Sequence, residues 1–305
     1  MKNIFSFLTV LFVCSMFLFS CSTAKKDKVS SMKATEEGDQ VAKEEIIYTE
    51  KKVFAVYNGK PTQYRYILKN KVVAVENLNE NGQVVSFRGE LPNGLIKEYD
   101  MKNNLVSEMN YNAGKLEGVI KTFYAGGKNV ASVKNYRNGI LEGKAIEYYE
   151  NGNKKTDSNY KDGILNGVVK KYSMSGTLLS SAQYVDGQLE GLYKEYFVTG
   201  TPKIETEYYN GLKEGFSKEY FSGGILKSQH NYSLGKLEGD SQIYYEDGSI
   251  NRIEKYKNNK LNGDTKIYSN NNSEIPLYID TYVNCKKTMR KAFSSKGEQI
   301  FKIQY

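Results

Sequence analysis

Aromatic residues and glycine-marked polar clusters alternate along this chain at a fixed spacing. From Gly94 to Gly263 one unit returns about every 24 residues. Copies that begin at Tyr136 (YRNGILEGKAIEYYENGNKKTDSN), Tyr160 (YKDGILNGVVKKYSMSGTLLSSAQ), Tyr184 (YVDGQLEGLYKEYFVTGTPKIETE) and Tyr232 (YSLGKLEGDSQIYYEDGSINRIEK) align without gaps. Numbered from its leading Tyr, each unit places Gly at position 4, Leu at 6 (Lys213 in the unit that begins at Tyr208), Gly at 8, a middle aromatic at 13 and Gly again at 17. The last of these units puts Asn259 and Asn272 where the others have the first and third of these glycines. The middle aromatic usually falls halfway along, so a unit divides into two halves, each an aromatic followed by a turn signal. Gly and Asn tolerate the positive φ that tight turns require. About six residues remain between turns, too few for a helix and the usual length of a strand.

The unit is therefore predicted to be a β-hairpin, and units this short must stack to bury anything. The predicted fold is all-β: an elongated, single-layer antiparallel sheet of stacked hairpins, about 16 strands at ~4.8 Å and so roughly 75 Å long. Within it, tyrosines of neighbouring strands are expected to pair as a ladder, each pair contributing about 0.2–1 kcal/mol. The turn leucines (Leu116, Leu141, Leu165, Leu189, Leu237, Leu261) are expected to tuck under the sheet edge, and the position 8 glycines to let the turn pack against a ring. Alternation puts the position 11 lysines on the face of the position 13 aromatics. Tyr148, Tyr172, Tyr196, Tyr220 and Tyr244, with Lys170, Lys194 and Lys218, are the predicted interaction face.

The segment 1–20 reads as an export signal: Lys2, an apolar run from Ile4 to Phe19, then Ser20 before Cys21. The run is shorter than the ~20 apolar residues of a spanning helix. The tetrad 18–21 (LFSC) resembles the lipobox of bacterial lipoproteins, which implies that Cys21 is lipidated and becomes the N-terminus. A signal helix at 1–20 and a disordered tether at 21–45, rich in Ser, Lys and Glu and free of aromatics, are thus expected to precede the sheet. Residues 46–93 and 273–305 keep strand and turn signals in irregular spacing and read as degenerate capping repeats around the array at 94–272.

Composition narrows the function. Cys14 leaves with the signal and Cys21 takes lipid, so Cys285 stands alone and no internal disulfide is available. The single histidine, His230, is expected at the surface. One His and no CxxC pair speak against a His or Cys metal site, and neither metal nor cofactor is expected. An enzyme needs converging groups in a cleft, whereas the acids here recur at unit spacing, which suits hairpin turns. The chain reads as non-enzymatic. Net charge is +8, but lysine and glutamate rows largely offset one another and export removes nucleic acid as a partner.

The unit Y-x-x-G-x-L-E-G-x-x-K-x-Y-x-x-x-G, as in residues 184–200, resembles the MORN repeat, in particular the variant of bacterial exported proteins and of a group of antitoxins. The resemblance covers about residues 87–272 and implies an elongated twisted β-sheet scaffold. The Trp of the eukaryotic unit is absent here, and Tyr fills the aromatic places. The resulting expectation is a membrane-anchored, non-catalytic scaffold in the bacterial cell envelope, at the outer membrane or cell surface, that binds a protein or an envelope polymer. The alternative is an antitoxin-like or immunity protein that sequesters a toxic partner.

Overall fold

The computed structural model describes residues 47–270 and 274–305. The expected signal, lipidated Cys21 and tether lie outside the described residues, as does Asn272. The described residues contain no helix and form one open sheet of 27 strands. That number exceeds the expected 16 because both flanking regions join the sheet, and because five strands are two-residue segments such as Ile164–Leu165, parted from the next by a single residue.

The N-terminal region departs from a simple meander. Strands β1 (Thr49–Tyr57), β2 (Lys60–Leu68), β3 (Lys71–Leu78) and β4 (Val84–Gly89) pair successively, antiparallel. The chain then returns to the free side of β1, where β5 (Gly94–Tyr99) pairs with it in parallel, Thr49 opposite Ile96. From β6 (Leu105–Asn112) onward each strand follows its predecessor to the last, Gln299–Gln304. The sheet is thus mixed, with that one parallel pair, where a purely antiparallel sheet was expected. The reversal coincides with the apolar cluster of Tyr66, Ala74 and Ile96, against which Val73, Leu91 and Tyr111 pack. Beside it, Lys51 bridges Glu76 and Glu98, 3.2 Å from each, and Tyr66 donates a 2.7 Å hydrogen bond to Glu76. Burial followed by that bond pushes the Tyr66 phenol far up.

Two turn types alternate through the repeats. At positions 3 and 4 both residues have positive φ, 52° and 82° at Asn138-Gly139, the signature of a two-residue type I′ hairpin. The second turn is a three-residue loop closed by a left-handed Gly: Tyr149 N donates to Asn153 O, and Gly152 N to Tyr149 O. It leaves a β-bulge beside the middle aromatic in the units that begin at Tyr111 to Tyr232, as between Glu147 and Tyr148.

Register places each position 8 Gly directly opposite the next leading Tyr: Gly143 opposite Tyr160, Gly191 opposite Tyr208, Gly239 opposite Tyr256. The expected reason, close packing of a ring, is not the operative one. A Cβ at Gly118 or Gly191 would meet nothing within 4 Å, whereas φ there is 75° and 73°, a region that costs an L-residue roughly 1–2 kcal/mol. The turn leucines lie on the other side of the same tyrosines, half-buried, as Leu165 does against Tyr160.

Units are also stitched along the type I′ edge. The amide of Gly163 donates to Leu141 O, of Gly187 to Leu165 O and of Gly211 to Leu189 O. The position 7 glutamates reach forward to the next turn: Glu117, Glu142, Glu190, Glu214 and Glu238 accept from the amides of Asn138, Asp162, Asn210, Leu234 and Asn258 at 2.6–2.9 Å.

The face that carries the leading tyrosines buries small residues rather than rings. Ala145 (4 % exposed), Ser158, Ala182, Thr206 and Ser241 (1 %) lie in it, flanked two residues away by larger side chains such as Tyr160 and Thr156. The expected tyrosine ladder does not form. Leading tyrosines face glycines across the ladder, and ring contacts among the described residues are confined to Tyr66–Phe87 and Tyr193–Tyr208. His230 also differs from expectation. It is half-buried opposite Ser217, its Nδ1 is enclosed without a hydrogen-bond partner, and burial lowers its pKa.

Candidate interaction surface

The opposite face carries the predicted lysines. Cross-strand partners form one row through the array: Asp157, Lys170, Ser181, Lys194, Glu205, Lys218, Gln229. Partners directly opposite in an antiparallel ladder project to the same side, so Lys170, Lys194 and Lys218 share a face. The middle aromatics belong to it as well. Tyr220 donates to Glu205 at 2.9 Å, and Tyr244 donates to Gln242, a position 11 residue. The leading tyrosines stand on the other side because the middle aromatic lies one residue past the position 12 side chain that shares their face.

Glu205 is the electrostatic centre of this row. Lys194 pairs with it at 3.1 Å. Burial pushes its carboxyl up, but the bonds from Lys194 and Tyr220 outweigh this and hold its pKa below the usual value. The Tyr220 hydroxyl is pushed up to about 12, first by burial and then by its bond to Glu205, so it remains a neutral donor at ordinary pH. Lys170 and Lys218 have no carboxylate in ion-pair contact among the described residues, and Lys170 is exposed. Tyr148, Tyr172, Tyr196, Tyr220 and Tyr244 are all half-buried; Tyr148 borders a 370 Å³ depression with Lys128, Val130 and Val133. The surface therefore offers charged tips over partly covered rings.

The recurring turn acids are engaged as turn acceptors, and no group of three or more His, Cys, Asp or Glu among the described residues is placed to hold a metal. Cys285 is exposed and takes the place of a turn glycine, with φ 67°. Sequence reasoning missed the stitching role of the position 7 glutamates. The signal was available in the glutamate that precedes Gly 8 in five of the seven units, but its acceptor role depends on the next unit's turn lying alongside.

Comparison with known proteins agrees with the repeat. Residues 141–162 and 237–258 match the sequence model described as the MORN repeat variant. No curated protein matches the chain. Among solved structures, the crystal structure of TcdB2-TccC3 is similar at 9 % identity over 79 % of this chain and 15 % of that one, with a TM-score of 0.14. The chain thus spans well under a fifth of that structure's length. Both matched segments run from the position 6 leucine to position 3 of the following unit, in the same phase of the repeat. At these two places the chain carries repeats that match the MORN variant.

Proposed function

We propose that the protein is a non-catalytic scaffold, held at a membrane of the cell envelope through lipidated Cys21, and that the lysine face of its repeats binds a protein or an acidic envelope polymer. The observation that carries this reading is the row itself. It repeats a cation and a half-covered ring at unit spacing, with Lys194 ion-paired to Glu205 and, among the described residues, Lys170 and Lys218 opposite Asp157 and Glu205 but outside ion-pair contact with them. Cations spaced along a repeating sheet suit an extended acidic partner better than a compact ligand.

The test is cross-linking and capture from envelope extract with the native chain and with K170Q/K218Q. The lysine changes spare the half-buried rings and leave the fold intact, which circular dichroism checks. Loss of captured partners in the variant supports the reading. Equal recovery from a folded variant would sink it. For the anchor, mass spectrometry of the purified N-terminus is decisive: an uncleaved or unmodified Cys21 removes the membrane from the proposal.

A further inference from the structure

A second surface lies on the N-terminal strands, away from the repeat row. In β2, β3 and β4 the register aligns Arg65, Val75 and Arg88 as cross-strand neighbours, with Gln63, Asn77 and Ser86 forming the adjacent line. These residues share one face. Arg65, Arg88, Gln63, Val72, Val75 and Asn77 line a 510 Å³ cavity there. No acidic residue lines it. Neither arginine has a carboxylate partner among the described residues, while Arg252 pairs with Glu254 and Arg290 with Asp280. The next cation in the row, Lys52, is already paired with Glu50 at 2.9 Å.

Arg65 is also held in place. Its guanidinium stacks on the Phe54 ring. Its Nε donates to Gln63 Oε1 at 3.4 Å, Gln63 Nε2 to Asn77 Oδ1 at 2.8 Å, and Asn77 Nδ2 to Ser86 Oγ at 2.8 Å. This chain of bonds uses one Arg65 donor and leaves the paired terminal NH₂ groups unclaimed. Arg88, exposed on β4, makes no side-chain hydrogen bond among the described residues. Two guanidiniums therefore stand two strands apart, ~10 Å between backbones, over an apolar floor formed by Val72 and Val75.

We propose that this cavity is a binding site for a phosphate monoester with an apolar substituent, its dianion held between Arg65 and Arg88 and its organic part on Val72 and Val75. The charge count selects phosphate over carboxylate. A carboxylate carries one charge and is satisfied by a single guanidinium fork, whereas a phosphate dianion matches two forks and presents three oxygens to them.

Isothermal titration of the full-length chain with phenyl phosphate at low salt tests the site, with inorganic phosphate and benzoate as comparison probes. Saturable binding of phenyl phosphate is expected, stronger than that of inorganic phosphate and of benzoate. R88Q and R65K should each weaken it by about tenfold, the loss of a charge-assisted hydrogen bond. R137Q, which removes an exposed arginine from another strand, should leave it within about twofold, since screened charge at a distance contributes little. Arg88 makes no bond that the fold depends on, so R88Q remains informative if R65K unfolds. Absence of saturable binding overturns the proposal. Equal loss in R137Q, or benzoate binding as tightly as phenyl phosphate, overturns it too.

Discussion

Removing one position 7 glutamate should loosen the next unit's turn and little else. Glu190 Oε2 accepts the amide of Asn210 at 2.9 Å, and Asn210 is the first central residue of a type I′ turn with φ 48°. In E190A that exposed amide passes to water, so the cost falls to that of an ordinary exposed hydrogen bond, about 0.5–1 kcal/mol. With a tenfold change per 1.4 kcal/mol, the hydrogen-exchange protection of the Asn210 amide should fall about two- to fivefold. E190Q keeps an acceptor and should lose less. The sites of E142A/E190A/E214A/E238A lie in different units, so their effects should add to roughly 2–4 kcal/mol in denaturant unfolding. The chain contains its own control. Asn occupies this place in two units: Asn262 accepts the Asn284 amide at 3.4 Å, whereas the Asn166 side chain donates to Asp186 Oδ1 at 3.1 Å and offers the Asp186 amide no acceptor. The Asp186 amide should therefore exchange faster than those of Asp162 and Asn210 in the native protein. If E190A leaves Asn210 protection unchanged in an intact sheet, or if Asp186 is as protected as Asn210, the stitching argument fails.

Leu234 is 71 % exposed with φ 49°, so L234N should raise stability by up to ~1 kcal/mol in urea unfolding; C285G, at φ 67°, should do the same, partly offset by unfolded-state entropy. Asp280, 1 % exposed, takes two bonds from Arg290 and one from Lys287. Burial pushes its carboxyl up, but these cations hold it below the usual value; its contribution is present above the unfolded pKa and lost as pH falls through the folded one. D280N should cost about 3 kcal/mol and flatten the acid limb of stability below about pH 4. For His230, the depressed folded pKa means that stability is full above the unfolded value and declines as pH falls below about 6.5; H230Q should remove that decline in thermal scans from pH 7.5 to 5. F197Y should add about 1 kcal/mol, read as a raised melting temperature, by giving Phe197 the hydroxyl that Tyr149 donates to Tyr172 O.

Much of the repeat was legible because its constraints are local. Each type I′ turn needs two residues at positive φ and each bulged turn needs one, so Asn-Gly, Asp-Gly and the position 17 glycines mark strand ends wherever they fall. Even the longer unit at Tyr111 is accounted for. Its extra residue lies in the second turn, where Tyr124 pairs with Asn129 rather than with a residue four on. The N-terminal reversal was not legible. Strands β1 to β4 carry the same alternation and turn residues as a forward meander, and the parallel β1–β5 pairing is tied to contacts such as Tyr66 with Ile96 that no local pattern announces. The tyrosine ladder failed for a related reason. Even spacing of the aromatics fixes how often a ring appears, but the one-residue offset between positions 12 and 13 sends alternate rings to opposite faces. Arg65 and Arg88 are distant in the chain with a whole strand between them, and only the register of β2, β3 and β4 makes them neighbours.

The two edges of the array differ in how firmly they join successive units, and that difference bears on where the sheet can yield. Along the type I′ edge, the Gly 4 amide bond to the preceding turn continues past substitutions: Gly235 donates to Lys213 O, Asn259 to Leu237 O and Cys285 to Leu261 O. Along the bulged-turn edge, the corresponding join is a side-chain bond, Tyr124 to Tyr148 O, Tyr149 to Tyr172 O and Tyr245 to Tyr268 O. Three successive units lack it because Ser173, Phe197 and Phe221 stand in that place, and there a smaller contact, Thr201 Oγ1 to Ser222 O, is what remains. In a one-dimensional array each unit depends on its neighbours alone, so the loss falls on the joints themselves and cannot be shared with a distant core. The weaker joints run through the units that hold Lys170, Lys194, Glu205, Lys218 and Tyr220. The candidate surface thus sits where one edge of the sheet is bound tightly and the other loosely, an arrangement that leaves this face freer to adjust its twist while the turns opposite keep the units in register.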